Sequence, residues 1–265
     1  MNGPRLTSVC AMLVMTYAAG LQSQTPCTKI ETQTSAIEAV SRAGSGGRKG
    51  LTADSFTVSA IPQLTTDLLS IETNQFPRAV GHVVSPVCFY EIELSTFQLE
   101  DGRVEAQLVE LDRGRSWVVA VANDGKTTIL TGDGDETEAF NALIARLKVK
   151  VTKPDDSLAI VNAYLSIPGK GRNNSALNDS MALEVRAIDD FRTRYPQKEA
   201  RGKFDNWWKR FLARNLTVHP MASKPLESGF LVSYTSYDSG RVLANKITVH
   251  SNGSLELSKP ISTFE

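Results

Sequence analysis

Between residues 87 and 131 the apolar and polar positions of the chain alternate with a period of two. "CFYEIELSTF" sets Cys88, Tyr90, Ile92 and Leu94 against Phe89, Glu91, Glu93 and Ser95. That is the pattern of a strand that buries one face. Asp101–Gly102 turns the chain into "RVEAQLVELD", where Val104, Ala106 and Leu108 share a side. "RGR" then leads to "SWVVAVA", and "NDG" leads to "KTTIL". Asx-Gly pairs supply positive φ at low steric cost, so each marks a hairpin turn. The expectation is a four-stranded antiparallel β-meander over residues 87–131.

The period then lengthens to that of helices. "ETEAFNALIARL" from Glu136 is the first, and "KPDDSLAIVNAYLSI" the second. The second carries Pro154 and two Asp in its opening turn, where the helix dipole favours them. A third helix near Ser180–Tyr195 places Met181, Val185, Ile188, Phe191 and Tyr195 on one face, and Pro196 stops it. A fourth, near Lys198–Asn215, repeats Phe204, Trp207, Trp208, Phe211 and Leu212 at i, i+3, i+4, i+7 and i+8. After residue 229 the period returns to two in "GFLVSYTSY", "GRVLANKITVH" and "GSLELS", joined by "DSG" and "NG". Strands, then helices, then strands read as an α+β fold. The meander and the C-terminal β-hairpins (229–258) form the sheet, and the intervening helices (136–214) pack on it.

The N-terminal end breaks this regularity. Arg5 precedes an apolar run from Val9 to Ala19, followed by small residues at Ala18, Gly20 and Ser23. This is the order of a secretory signal peptide. The run is shorter than the ~20 apolar residues a membrane span requires. Residues 1–20 are therefore read as the signal, with cleavage after Gly20 or after Ser23. Residues 21–75 are read as a helix near Thr28–Arg42 and a flexible Gly/Ser-rich loop, "SRAGSGGRKG". Residues 76–265 form the α+β body. The protein is expected to be secreted or periplasmic, with no transmembrane segment after the signal. Loss of Cys10 with the signal leaves Cys27 and Cys88, which an oxidising compartment pairs as a disulfide.

Charge changes the picture only locally. The 265-residue chain has a formal net charge of zero, so no global field attracts nucleic acid. Yet Arg192, Arg194, Lys198, Arg201, Lys203, Lys209, Arg210, Arg214 and Lys224 face only Glu199 and Asp205 over the stretch 192–224. The fourth helix thus combines a Trp-rich face with flanking cations, and Trp207, Trp208, Lys203, Arg210 and Arg214 are its candidate ligand-binding residues. The partners that suit them are an acidic protein, an anionic surface or a carbohydrate.

Catalytic spacing is scarce. Asp133, Asp135 and Thr137 satisfy Asp-x-Asp-x-Thr. In haloacid-dehalogenase-like phosphatases that spacing sits at the end of a parallel strand, whereas here it follows a hairpin meander. A calcium loop counted from Asp133 places Glu138 where Gly belongs and Ile144 where Glu belongs. The same residues read directly as a helix start: Asp135 as N-cap and Glu138 as its capping-box partner. His82, His219 and His250 lack metal-hydrolase spacing, and no nucleophile elbow or cofactor fingerprint occurs. The leading expectation is a non-enzymatic binding or assembly module without metal or cofactor. The alternative is a hydrolase, either metal-dependent through Asp133 and Asp135 or with an unrecognised constellation.

Overall fold

The computed structural model describes residues 30–44, 56–61, 87–94, 116–122, 125–130, 136–167 and 176–265. Its first elements are α1 (Ile30–Gly44), β1 (Phe56–Ala60), β2 (Val87–Leu94), β3 (Ser116–Ala122) and β4 (Thr127–Ile129). Four helices follow: α2 (Glu136–Leu147), α3 (Pro154–Leu165), α4 (Ser180–Arg194) and α5 (Gln197–Ala213). The chain ends in β5 (Ala222–Leu226), β6 (Gly229–Asp238), β7 (Arg241–His250), β8 (Leu255–Leu257) and β9 (Ile261–Phe264). The fold is α+β, with two antiparallel sheets of four and five strands. The signal-peptide region, Cys27, Asp133, Asp135, His82 and the expected strand at 103–112 lie outside the described residues.

The first sheet has the order β1-β2-β3-β4. Its edge strand β1 comes from the stretch read as N-terminal helix and loop. Phe56 pairs with Leu94 and Ala60 with Tyr90. α1 packs Ala36, Ala39 and Val40 on the face that carries Cys88, Tyr90, Ile92, Trp117, Val119 and Val121. The opposite face presents Val87, Phe89, Val118, Ala120 and Ala122 to α2 and α3. β2 was expected to bury one face. Instead both Phe89 and Tyr90 are buried, because helices cover the sheet on both sides. Glu91, farther along the strand, is partly exposed.

The second sheet is built on the β6–β7 hairpin, paired from Gly229–His250 to Asp238–Arg241. Its turn uses Ser239 and Gly240, both at positive φ, as a tight hairpin of this twist requires. Phe230, Val232, Tyr234, Ile247 and Val249 join the cluster of α2 and α3. Tyr237 and Val242, at the other end and on the other face, join that of α4, α5 and β9. β5 was not anticipated. Its Lys224 and Pro225 disguise a strand, but both residue types are at home on a sheet edge.

Local chemistry fixes the helices. Asp156 accepts hydrogen bonds from the Thr152 and Lys153 backbone N–H groups at 3.0 and 3.3 Å, tying down the start of α3. Asp179 caps α4 by accepting from the Ala182 N–H at 2.8 Å. Asn141 of α2 bonds β8 in both directions. Its Nδ2 donates to the Leu255 carbonyl at 2.9 Å, and its Oδ1 accepts from the Leu255 N–H at 2.7 Å. The β7–β8 turn then presses Gly253 against the helices, with φ 81°. A Cβ there would lie 2.7 Å from Ile144 Cγ2 and 3.0 Å from Ile160 Cδ1.

Gly253→Ala combines overpacking with left-handed strain, and should destabilise by about 2–4 kcal/mol. Gly125→Ala carries the strain but meets no neighbour within 4 Å, so it should cost about 1–2 kcal/mol. Urea midpoints of the two variants check this. Equal losses would show that the Gly253 contact relaxes freely.

Candidate functional site

α4 and α5 form a helical hairpin joined at Tyr195–Pro196. Ala200, Phe204, Trp207 and Phe211 recur at i, i+4, i+7 and i+11 on the buried side of α5, the stripe a core-facing helix shows. The Trp207 ring lies parallel to Phe211 (8° between planes) and meets Tyr237 and Phe264 edge-on. Its indole N–H donates to the Gly240 carbonyl at 2.9 Å. Trp207 is therefore a core residue that locks α5 to the β6–β7 turn, and any surface role falls to Trp208.

Trp208 is half-buried. It stacks on Phe204, Trp207 and Phe211 with centroids 6.0, 6.1 and 5.3 Å away. These contacts hold one side of the ring and leave part of it to solvent. Leu212, one turn on, is 54% exposed. The periodicity groups both with Phe204, Trp207 and Phe211 on one apolar face. The helix phase is set by Phe204, Trp207 and Phe211, and this leaves position 212 outside.

The cations sit around this ring system. Lys203 Nζ lies 4.6 Å from the centre of the Tyr195 ring, and the Arg210 and Arg214 guanidinium carbons lie 5.9 and 5.3 Å from that of Phe264. Such contacts position a cation without neutralising it. Lys198, Arg201, Lys203, Lys209, Arg210 and Arg214 are all exposed. Among the described residues, ion pairs occur at Lys153–Asp156, Arg192–Asp189, Arg194–Asp190, Arg241–Asp238 and His250–Glu256. None includes a cation of α5.

α4 behaves differently. Asp190 accepts from Tyr237 Oη at 2.5 Å and from Arg194 Nε at 2.8 Å, with Arg194 Nη2 as a further donor. Burial and the hydrogen bond to Asp190 push the Tyr237 phenol well above its ordinary value. Burial does the same to Tyr234. The Tyr237–Asp190 hydrogen bond ties α4 to the sheet, the Asp190–Arg194 ion pair lies within α4, and the carboxylate is engaged by both donors. α4 also corrects an expectation: its buried stripe is Leu183, Ala187 and Phe191, while Met181 and Val185 are 72% and 55% exposed.

Other chemistry is sparse in the described residues. No group of three or more His, Cys, Asp or Glu side chains there is arranged to hold a metal ion. α2 begins at Glu136, one position after the expected cap. His219 is exposed, and His250 lies 3.6 Å from Glu256. A cavity of about 290 Å³ is bordered by Leu158, Asn162 and Leu165 of α3 and by Ala176, Pro220 and Met221. It touches none of the expected ligand-binding residues. No helix among the described residues is long and apolar enough to cross a membrane. No protein-family model matches the chain, and no curated protein or solved structure is similar to it.

The raised phenols make a pH prediction with a definite sign. The fold favours the neutral phenol, so the stabilisation is complete below the unfolded value near pH 10 and is lost as pH rises above it. Tyr237→Phe should cost about 1.5–3 kcal/mol at neutral pH, because it removes a hydrogen bond to a carboxylate. It should also flatten the alkaline fall in stability. Urea titrations between pH 7 and 11 test both parts, and an unchanged alkaline slope in the variant would refute the assignment to Tyr237.

Proposed function

We propose that this protein is a non-enzymatic recognition module whose binding face is the exposed side of α5, and that its partner is anionic. The observation that carries the reading is a set of six exposed cations, five on α5 and Arg214 at its C-cap, that have no carboxylate partner among the described residues. A structural role for that charge would show as internal pairing, as Arg194 does with Asp190. Unpaired like charges along one helix repel each other and add nothing to stability. An external anion removes that repulsion. Trp208 and Leu212 supply apolar contact on the flank of α5 that carries Arg201, while Lys203, Arg210 and Arg214 rest against the Tyr195 and Phe264 rings on the other flank.

We place the mature chain outside the cytoplasm, on the support of the basic and apolar order of residues 1–20. A Cys27–Cys88 disulfide belongs to the same proposal. Cys88 is buried under α1 on β2, where a bridge from residue 27 would pin the chain entering that helix. Mass spectrometry of the protein exported by its natural host should find the chain starting at Leu21 or Gln24. Reduction should add the hydrogens of one disulfide.

The recognition reading is tested with poly-glutamate. Binding should occur at low salt, weaken as salt is raised, and weaken about tenfold or more when Lys203, Arg210 and Arg214 are changed together to Gln. Trp117 and Trp207 are buried, and Trp208 is partly exposed. The binding-induced change in tryptophan fluorescence should therefore disappear in Trp208→Phe. Undiminished binding by the triple Gln variant would remove α5 from the site. Turnover of a phosphate ester that is abolished by Asp133→Asn would replace the reading with a hydrolase.

A further inference from the structure

Resting on the α5 recognition reading, the geometry points to a specific occupant: we infer that α5 docks on the surface of an anionic lipid bilayer. Three observations favour a charged plane over a discrete ligand.

The first is the spread of the charge. Lys198, Arg201, Lys203, Lys209, Arg210 and Arg214 extend along roughly 24 Å of helix. A single carboxylate or phosphate cannot meet charges so far apart. A surface of anionic headgroups meets all of those that face it.

The second is the absence of aiming. Discrete anions are bound by forks held in place through hydrogen bonds from a second group. Lys203, Arg210 and Arg214 rest on ring faces, which fix position loosely, and among the described residues none of the six side chains donates a hydrogen bond. Lys and Arg are mixed along the helix, as suits attraction without directional demand.

The third is the companion apolar strip. Trp208 and Leu212 are one turn apart and neither is fully covered. A partly exposed Trp and an exposed Leu beside Lys and Arg are the side chains that enter the headgroup boundary when a helix lies on a membrane. The cavity of about 290 Å³ beside α3 is lined by none of these α5 residues. The buried stripe of Phe204, Trp207 and Phe211 stays in the core, and the helix need not leave the fold to bind. The contact is peripheral and reversible.

The experiment is sedimentation of the full protein with vesicles of equal parts phosphatidylglycerol and phosphatidylcholine, beside vesicles of phosphatidylcholine alone. The expected result is binding to the anionic vesicles only, abolished by high salt. Lys198→Gln, Arg201→Gln and Lys209→Gln combined should weaken it about a hundredfold. All three side chains are exposed, and a circular dichroism melt coincident with the parent's shows that the variant is folded. Leu212→Ser provides a second variant and should weaken binding about tenfold or more with the charge unchanged. Equal binding to both vesicle types, or unaltered binding by the charge variant, overturns the inference. Binding to poly-glutamate without binding to anionic vesicles overturns the lipid occupant and leaves the recognition reading standing. Binding to neither overturns both.

Discussion

The pairing of β6 with β7 is the constraint on which the C-terminal half of the molecule depends. Ten residues of each strand pair without interruption, from Gly229–His250 to Asp238–Arg241. One end of this ribbon is covered by α2 and α3 and the other by α4 and α5, on opposite faces. Both apolar clusters therefore hang from a single register. A slip of one residue would turn Phe230, Val232 and Tyr234 away from the first cluster and Tyr237 away from the second.

The boundary between the clusters is polar. Thr235, Ser236 and Asn245 are buried there. Asn245 Nδ2 donates to Ser236 Oγ at 2.8 Å and to the Leu243 carbonyl at 3.2 Å. Thr235 receives the chain from two directions: its carbonyl accepts from the Leu177 N–H at 2.8 Å, and its Oγ1 accepts from the His219 N–H at 2.9 Å. Buried polar groups lose their value when displaced from their partners. This seam therefore penalises a shifted register more sharply than the aliphatic contacts on either side. It also fixes where the segments flanking the α4–α5 hairpin meet the sheet.

Much of this was legible in the sequence, and the failures share a cause. The turns at Asp238–Gly240 and Asn252–Gly253 and the four helices after residue 136 announced themselves through turn chemistry and periodicity. β1, β5 and β9 did not. Each is short, and an edge strand carries polar residues that erase the alternation. In α4 the expected face held only in part. Phe191 is buried and Ile188 and Tyr195 pack against the same cluster, but Leu183 and Ala187 take the buried positions in place of Met181 and Val185. Small Ala187 lets α4 pack closely, while Asp190 must reach Tyr237. In α5 the residue types were informative and the division between Trp207 and Trp208 was not. Adjacent indoles lie 100° apart around a helix. Which one enters the core depends on a partner distant in sequence, the Gly240 carbonyl.

The same division explains how α5 can be both a structural helix and a binding face. Stacked and edge-on contacts among Phe204, Trp207, Phe211, Tyr237 and Phe264 supply its attachment. Exposed ion pairs contribute little in comparison. The outer side is thus under no stability requirement to balance its charge, and the excess of cations there costs the fold little. α4 shows the opposite arrangement, with Asp190 paired to Arg194 within the helix and bonded to Tyr237 of the sheet. One helix of the hairpin uses its charges to close the structure. The other, anchored by its rings, leaves its charges facing outward.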